Sequence, residues 1–312
     1  MIGNQFLEVP KRYHQKNNRK SARSILFVLT PCGIMEINMT DKTSIFLMAD
    51  SLVEDYGEDK LPLCGWGKYF LEHVTDDCEV KNYSHAGWTT KSFLTVDYGN
   101  LYSGKSCWEV IYDEIKKGDW LLVSLGVNDA SLVNEKRTTE EEYRQNLTYF
   151  TEKVRKKGAD LVFCTLSLRG GDDGSENGWD YKLPDASNLE PEMDERWMRR
   201  TQVLREIASD LNVYLIELGE ELKKIYENMY LEYMKEHPGA SIADGRNYVR
   251  YYFHLYNKPI NTPVSEGGLG YDMPDKKDDS THLNYRGAYI YAKTVAELVS
   301  KSKTGLASFI RL

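Results

Sequence analysis

Five short runs, at residues 44–48, 80–83, 120–125, 161–166 and 213–218, alternate with longer stretches of helical pattern. Most of these runs are almost continuously apolar, without the every-other-residue polarity of a strand that has one wet face. Strands read that way when both faces of their sheet are covered, and strands separated by helices pair in parallel. The pattern predicts an α/β fold, with a five-stranded parallel sheet between helical layers. At 312 residues the chain can bury such a core, and its 41% apolar and 28% charged content is that of an ordinary globular protein.

The clearest helix lies between the third and fourth runs. Thr139 with Glu142 three residues later forms a capping-box signature, and Tyr143, Leu147, Phe150 and Val154 recur at helical spacing. Cations at residues 153–157 load the last turn, and Gly158 ends it. A second helix is predicted over residues 286–298, with Ala288, Ala292, Val295 and Leu298 on one face.

Two segments fit neither pattern and are expected as long loop insertions. Residues 167–190 are rich in Gly, Asp and Asn, and residues 226–278 carry many tyrosines. Loops leaving the carboxyl ends of parallel strands are where open α/β sheets bind ligands, and extra length there points to a lid or substrate rim. Tyr248, Tyr251, Tyr252 and Tyr256 are expected to form the core of their own insert. The expected organisation is residues 1–43 as a basic arm with accessory strands, and 44–312 as the main domain. Lys11, Arg12, Lys16, Arg19, Lys20 and Arg23 precede an apolar stretch that Pro31 and Gly33 interrupt, with no small-residue cleavage site. A strand or strand pair at 25–40, attached to the main domain, is expected there rather than a secretory signal.

The net charge of −8 argues against nucleic acid and anionic membrane surfaces as partners. No run approaches the ~18 apolar residues of a transmembrane helix, so a soluble chain without a membrane partner is expected. The five cysteines are odd in number and lack C-x-x-C spacing, which predicts neither a metal site nor a disulfide framework. No cofactor is called for.

Chemistry concentrates in motifs far apart in the chain. Ala49-Asp50-Ser51 ends the first run, and Asp279-Ser280-Thr281-His282 lies near the C-terminus. Together they supply a nucleophile (Ser51), a general base (His282) and a carboxylate to orient the imidazole (Asp279). Asp279 and His282 are three residues apart, so a single turn would bring both side chains to one side. Asp50 is expected to be a structural hydrogen-bond partner. A hydrolase also needs donors for the developing oxyanion. Residues 125–129 offer the Asn128 amide, and Gly87 lets its backbone N–H approach a ligand closely. His85, Arg169, Trp179 and Tyr181 are candidates for substrate contact.

At these residues the chain resembles the SGNH hydrolases, named for the Ser, Gly, Asn and His that correspond here to Ser51, Gly87, Asn128 and His282. The similarity is to the rhamnogalacturonan acetylesterase branch, through Gly65-Trp66-Gly67, Lys117-Gly118-Asp119 with Gly126-Val127-Asn128-Asp129, Lys157-Gly158-Ala159, and Asp279-Ser280-Thr281-His282 followed by Gly287-Ala288. It spans roughly residues 44–300. Two positions depart from the family pattern: Ala49 stands for the glycine of G-D-S and Val127 for the histidine of G-H-N-D. The resemblance implies a flavodoxin-like three-layer α/β/α sandwich and a cofactor-independent esterase. Its oxyanion hole would consist of Ser51, Gly87 and Asn128, and its substrate would be an acetylated plant cell-wall polysaccharide or oligosaccharide of rhamnogalacturonan, pectin or xylan type. The alternatives are a lipase or thioesterase for longer acyl chains, and a weakly active carbohydrate-binding domain, for which Ala49 argues. The cysteines favour the cytoplasm, with the secretion usual in the family as the alternative.

Overall fold

The five expected strands form one parallel sheet. The computed structural model describes residues 25–30, 33–38, 42–95, 102–131, 134–167, 191–255 and 279–312. The chain divides into two units, Met1–Lys42 and Thr43–Leu312. In the first, β1 (Ile25–Thr30) and β2 (Gly33–Asn38) pair antiparallel, with Ile25 opposite Asn38 and Thr30 opposite Gly33.

In the second unit, β3 (Thr43–Ala49), β4 (Cys78–Asn82), β5 (Trp120–Ser124), β6 (Asp160–Cys164) and β7 (Tyr214–Ile216) lie in the order β4-β3-β5-β6-β7. Every neighbouring pair is parallel. Both faces of this sheet are covered. Ile45, Leu47, Leu122, Val162 and Ile216 enter one apolar cluster, whereas Phe46, Met48, Leu121, Val123 and Phe163 enter another. Successive strand residues point to opposite faces, so two buried faces require the nearly unbroken apolar runs that the sequence displays.

The helices, in chain order, are α1 (Gly67–Phe70), α2 (Thr90–Thr95), α3 (Cys107–Glu114), α4 (Val127–Ala130), α5 (Glu140–Lys156), α6 (Pro191–Asp210), α7 (Leu218–Glu236), α8 (Ile242–Phe253) and α9 (Tyr285–Ser300). α3, α5 and α6 cover the Phe46 face, and α1, α7, α8 and α9 cover the Ile45 face. This is the three-layer α/β/α sandwich. The capping box of α5 forms as expected, with the Glu142 N–H donating to Thr139 Oγ1 at 3.1 Å and the Thr139 N–H to Glu142 Oε2 at 2.7 Å. A small sheet, β8 (His254–Leu255) with β9 (Asp279–Leu283), lies outside the main one.

Two family motifs serve the amino edge of the sheet. The buried Asp119 carboxylate accepts the Ser44 N–H at 2.8 Å and the Lys116 N–H at 3.0 Å, and its carbonyl accepts the Asp160 N–H at 3.1 Å. Gly118, at φ +89°, donates to the Gly158 carbonyl at 3.0 Å. Lys117-Gly118-Asp119 and Lys157-Gly158-Ala159 thus tie the starts of β3, β5 and β6 together.

The expected insertion at 226–278 is corrected over its first part, since α7 and α8 fill most of residues 226–253. Leu222, Tyr226 and Tyr230 form a stripe one turn apart, and with Val249 and Phe253 they join the main core. Among the described residues, Tyr248 stacks on Tyr233 at 4.6 Å and lies 6.3 Å from Tyr252. Tyr252 packs at the margin of the main cluster and Tyr248 is exposed, while Tyr256 lies outside the described residues. The 167–190 segment is outside them too, except for the buried Ser167. Among the described residues, no helix is long and apolar enough to cross a membrane, and no group of His, Cys, Asp or Glu could hold a metal ion.

Candidate active site

Strand order reverses at β3, which has β4 on one side and β5 on the other. Ligands in doubly wound sheets bind at the carboxyl ends of the strands flanking such a switch point. Ala49 ends β3 opposite Ser124 of β5, so Ser51 and Gly126 leave the sheet at the same level. Ser51 is buried in a tight turn held by its predecessor. Asp50 Oδ1 accepts the Leu52 N–H at 3.0 Å, and the Asp50 carbonyl accepts those of Val53 and Glu54, both at 3.1 Å. Asp50 is therefore the structural partner expected. The methyl of Ala49 is fully buried in the Ile45 cluster, so the departure from glycine is absorbed by core packing.

A single strap joins this turn to the strand that carries His282. The Trp66 N–H donates to the Leu52 carbonyl at 2.8 Å, the Cys64 N–H donates to the Leu283 carbonyl at 3.0 Å, and Leu63 bridges Asn284. The strap needs Gly65-Trp66-Gly67. A Cβ on Gly65 would lie 2.3 Å from the Glu54 carbonyl oxygen, and one on Gly67 would lie 2.3 Å from that of Val53. Where the spacing of Asp279 and His282 suggested a single turn, the chain forms a bulged strand. β9 pairs Leu283 with His254 and Asp279 with Leu255, leaving Ser280, Thr281 and His282 between successive pairings. Bulges next to active sites re-aim side chains in this way. The backbone of Asp279 is described, but its side chain is not.

The stretch after β4 folds against the same edge. The His85 N–H donates to the Ala49 carbonyl at 3.1 Å, and Asn82 Nδ2 donates to the Val53 carbonyl at 2.8 Å. Gly87 has φ +74°, and no atom lies within 4 Å of where a Cβ would stand. Glycine is required there by conformation rather than by crowding. After β5, Gly126 at φ +141° turns the chain into α4, and Asn128 Nδ2 donates to the Trp88 carbonyl at 3.1 Å. One amide proton of Asn128 is thus used to align the two loops, and a primary amide carries a second.

Charges at this edge interact. Burial pushes the Asp50 carboxyl up to about 7, against the Leu52 N–H and the His282 charge, which lower it, while Asp129 and Glu54 add to the rise. Burial likewise raises Glu54, against the Ala86 N–H; Asp55 adds to the rise and the His282 charge lowers it. The His282 imidazole therefore lies within electrostatic reach of both carboxyls that flank the Ser51 turn. Asp50 also carries a stability consequence. Its folded value is above its unfolded one, so between pH ~4 and ~7 the unfolded chain loses this proton while the folded chain keeps it, and stability falls as pH rises. The full span is on the order of 4 kcal/mol, from about three pH units at ~1.4 kcal/mol each. Asp50→Asn keeps the acceptor for Leu52 and removes the titration. Urea midpoints of the variant are expected to gain on wild type from pH ~4 to ~7 and to level off above that, and a constant difference would refute this account.

Of the other expected contacts, His85 Nε2 lies 2.7 Å from the Tyr102 hydroxyl and its ring packs against Trp88 at 4.3 Å. Burial lowers the pKa of that ring, favouring its neutral form. Arg169, Trp179 and Tyr181 lie outside the described residues. Three further polar side chains anchor the loops here, Asp129 and Asn284 buried and Asn82 half-buried. Asp129 accepts the Thr90 hydroxyl at 2.6 Å and the Thr138 hydroxyl at 2.8 Å, fixing the loop after β5. Asn82 and Asn284 fix the loops around Ser51 and His282. Asn284 had a legible signal, an Asn at the N-cap position of a predicted helix.

The GDSL-like Lipase/Acylhydrolase family model matches residues 45–295. Rhamnogalacturonan acetylesterase RhgT of Bacillus subtilis is 28% identical over 259 residues, 83% of this chain and 90% of that protein. The probable rhamnogalacturonan acetylesterase YesY of the same organism is 35% identical over 127 residues, 40% of this chain and 54% of that one. The crystal structure of YxiM from B. subtilis superposes with a TM-score of 0.55 at 18% identity, over 86% of this chain. The alignment spans 59% of YxiM's own length, and at this identity it speaks for the fold alone. The family match runs from the strand before Ser51 to the helix after His282, and it identifies the chain as a member of the GDSL-like lipase/acylhydrolase (SGNH) family of carboxylic ester hydrolases.

Proposed function

We propose that the protein is a serine acetylesterase that deacetylates a plant cell-wall polysaccharide or its oligosaccharides, of rhamnogalacturonan, pectin or xylan type. The observation that carries the reading is the shared strap. It ties the Ser51 turn and the His282 strand to one segment, with the His282 charge reaching the Ser51 turn. The similarity to RhgT supports the carbohydrate ester as substrate.

In this mechanism Ser51 Oγ attacks the acetyl carbonyl carbon while His282 takes its proton, and Asp279 steadies the imidazolium. The N–H groups of Ser51 and Gly87, with the second Asn128 amide proton, receive the oxyanion. His282 then protonates the departing sugar oxygen. A water, deprotonated by His282, attacks the acetyl-enzyme and releases acetate, restoring Ser51. No cofactor takes part.

The test is hydrolysis of p-nitrophenyl esters of rising chain length, beside acetylated pectin and xylan fragments. The acetate is expected to have the highest kcat/KM and at least one fragment to release acetate. A preference rising with chain length would replace the reading with a lipase or thioesterase for longer acyl groups.

A further inference from the structure

Glu54 lies three residues beyond Ser51 and is half-buried. Its Oε2 accepts the Ala86 N–H at 2.5 Å. Its own backbone is immobilised twice, through its N–H to the Asp50 carbonyl at 3.1 Å and by the close approach of Gly65. The peptide that follows Ala86 is that of Gly87. Because no atom lies within 4 Å of the missing Gly87 side chain, packing on that side does not fix the orientation of the peptide. Hydrogen bonds flank it instead, from Glu54 at the Ala86 N–H and from Asn134 Nδ2 to the Gly87 carbonyl at 2.7 Å. The Glu54 contact is the charge-assisted one, and such bonds are roughly twice as strong as neutral ones. A partly desolvated carboxylate within electrostatic reach of Asp55 and Asp50 is a costly choice for a purely structural tie.

We infer that Glu54 is a positioning residue of this site, whose carboxylate ties the 86–87 segment to the nucleophile turn and so aims the Gly87 N–H at the forming oxyanion. The inference rests on the esterase reading above. Misplacing one donor by about 1 Å lowers turnover without removing any reacting group. Binding of the ground-state ester does not depend on that donor, so the effect belongs in kcat.

The experiment compares Glu54→Ala and Glu54→Gln in the full chain, on p-nitrophenyl acetate. Thermal unfolding and hydrogen exchange of the Ala86 amide are measured alongside. Glu54→Ala is expected to lower kcat about 10- to 100-fold with KM changed less than about twofold. Tm should stay within about 2 °C of wild type, and Ala86 should exchange faster. Glu54→Gln, which keeps an acceptor oxygen, should recover most of kcat and of the Ala86 protection. The inference is overturned if Glu54→Ala turns over within about twofold of wild type. It is equally overturned if Glu54→Gln is as impaired as Glu54→Ala, or if kcat and Tm fall together. A wild type inert on every acyl ester would remove the esterase reading and this inference together. An active wild type with an unimpaired Glu54→Ala removes the inference alone.

Discussion

Ser51→Ala is expected to lower kcat on p-nitrophenyl acetate by on the order of 10⁶, the scale seen when a hydrolase nucleophile is deleted. The substitution removes one oxygen. The turn that presents it is held from the Leu52 N–H to Asp50 Oδ1, from the Val53 N–H to the Asp50 carbonyl and from the Trp66 N–H to the Leu52 carbonyl, and alanine preserves all three contacts. Thermal unfolding should therefore be nearly unchanged, which separates a chemical loss from a folding loss. Mass spectrometry of the quenched enzyme supplies a second readout, an acetyl adduct in wild type and none in the variant. A loss of less than about tenfold would mean that another group attacks the ester. If wild type and variant were equally inert yet both bound acetylated glycans, the carbohydrate-binding alternative would replace the esterase.

Asn284→Ala is expected to cost stability on a scale that few single substitutions reach. This side chain is fully buried at the start of α9. Its Oδ1 accepts the Arg286 N–H at 2.9 Å and the Gly287 N–H at 3.0 Å. Its Nδ2 lies 3.2, 3.1 and 3.0 Å from the carbonyl oxygens of Tyr251, Tyr252 and His254. An amide has two such protons, so three acceptors share two donors. Removing it loses a helix cap worth about 1 kcal/mol and leaves buried carbonyls at ~1–3 kcal/mol each, on the order of 4 kcal/mol together. That is a large part of the ~5–15 kcal/mol that holds a domain folded. Urea unfolding measures it directly, and a loss under about 1 kcal/mol would refute the assignment. The His282 strand leads directly into this cap, so activity should fall at temperatures where the variant is still mostly folded.

The sheet, its covering layers and the capped helix α5 were legible because each depends on local pattern. Continuous apolar runs mark strands wet on neither face, and Thr139 with Glu142 marks a helix start whatever surrounds it. The Ser51 turn and the Gly87 position were legible for a related reason, since the Asp50 side chain binds the N–H two residues on and Gly87 acts through its own backbone. Residues 226–253 were misread because their aromatic richness hid a helical stripe whose partner face lies on α9 and the sheet. Glu54 and Asp129 carried little local mark, and Asn284 was legible only as a helix cap, because the other partners of such groups lie far along the chain.

The chain's residues in order determined the layered α/β plan, the family and the chemical groups available for ester hydrolysis. Only the tertiary structure decided how those groups converge. The meeting of the Ser51 turn with the His282 strand depends on a glycine strap, a bulge in β9 and one buried asparagine, joining segments more than two hundred residues apart. Local pattern records which face of a strand or helix is apolar. The burial of a polar group and the pairing of its hydrogen bonds are set only when distant segments close around it.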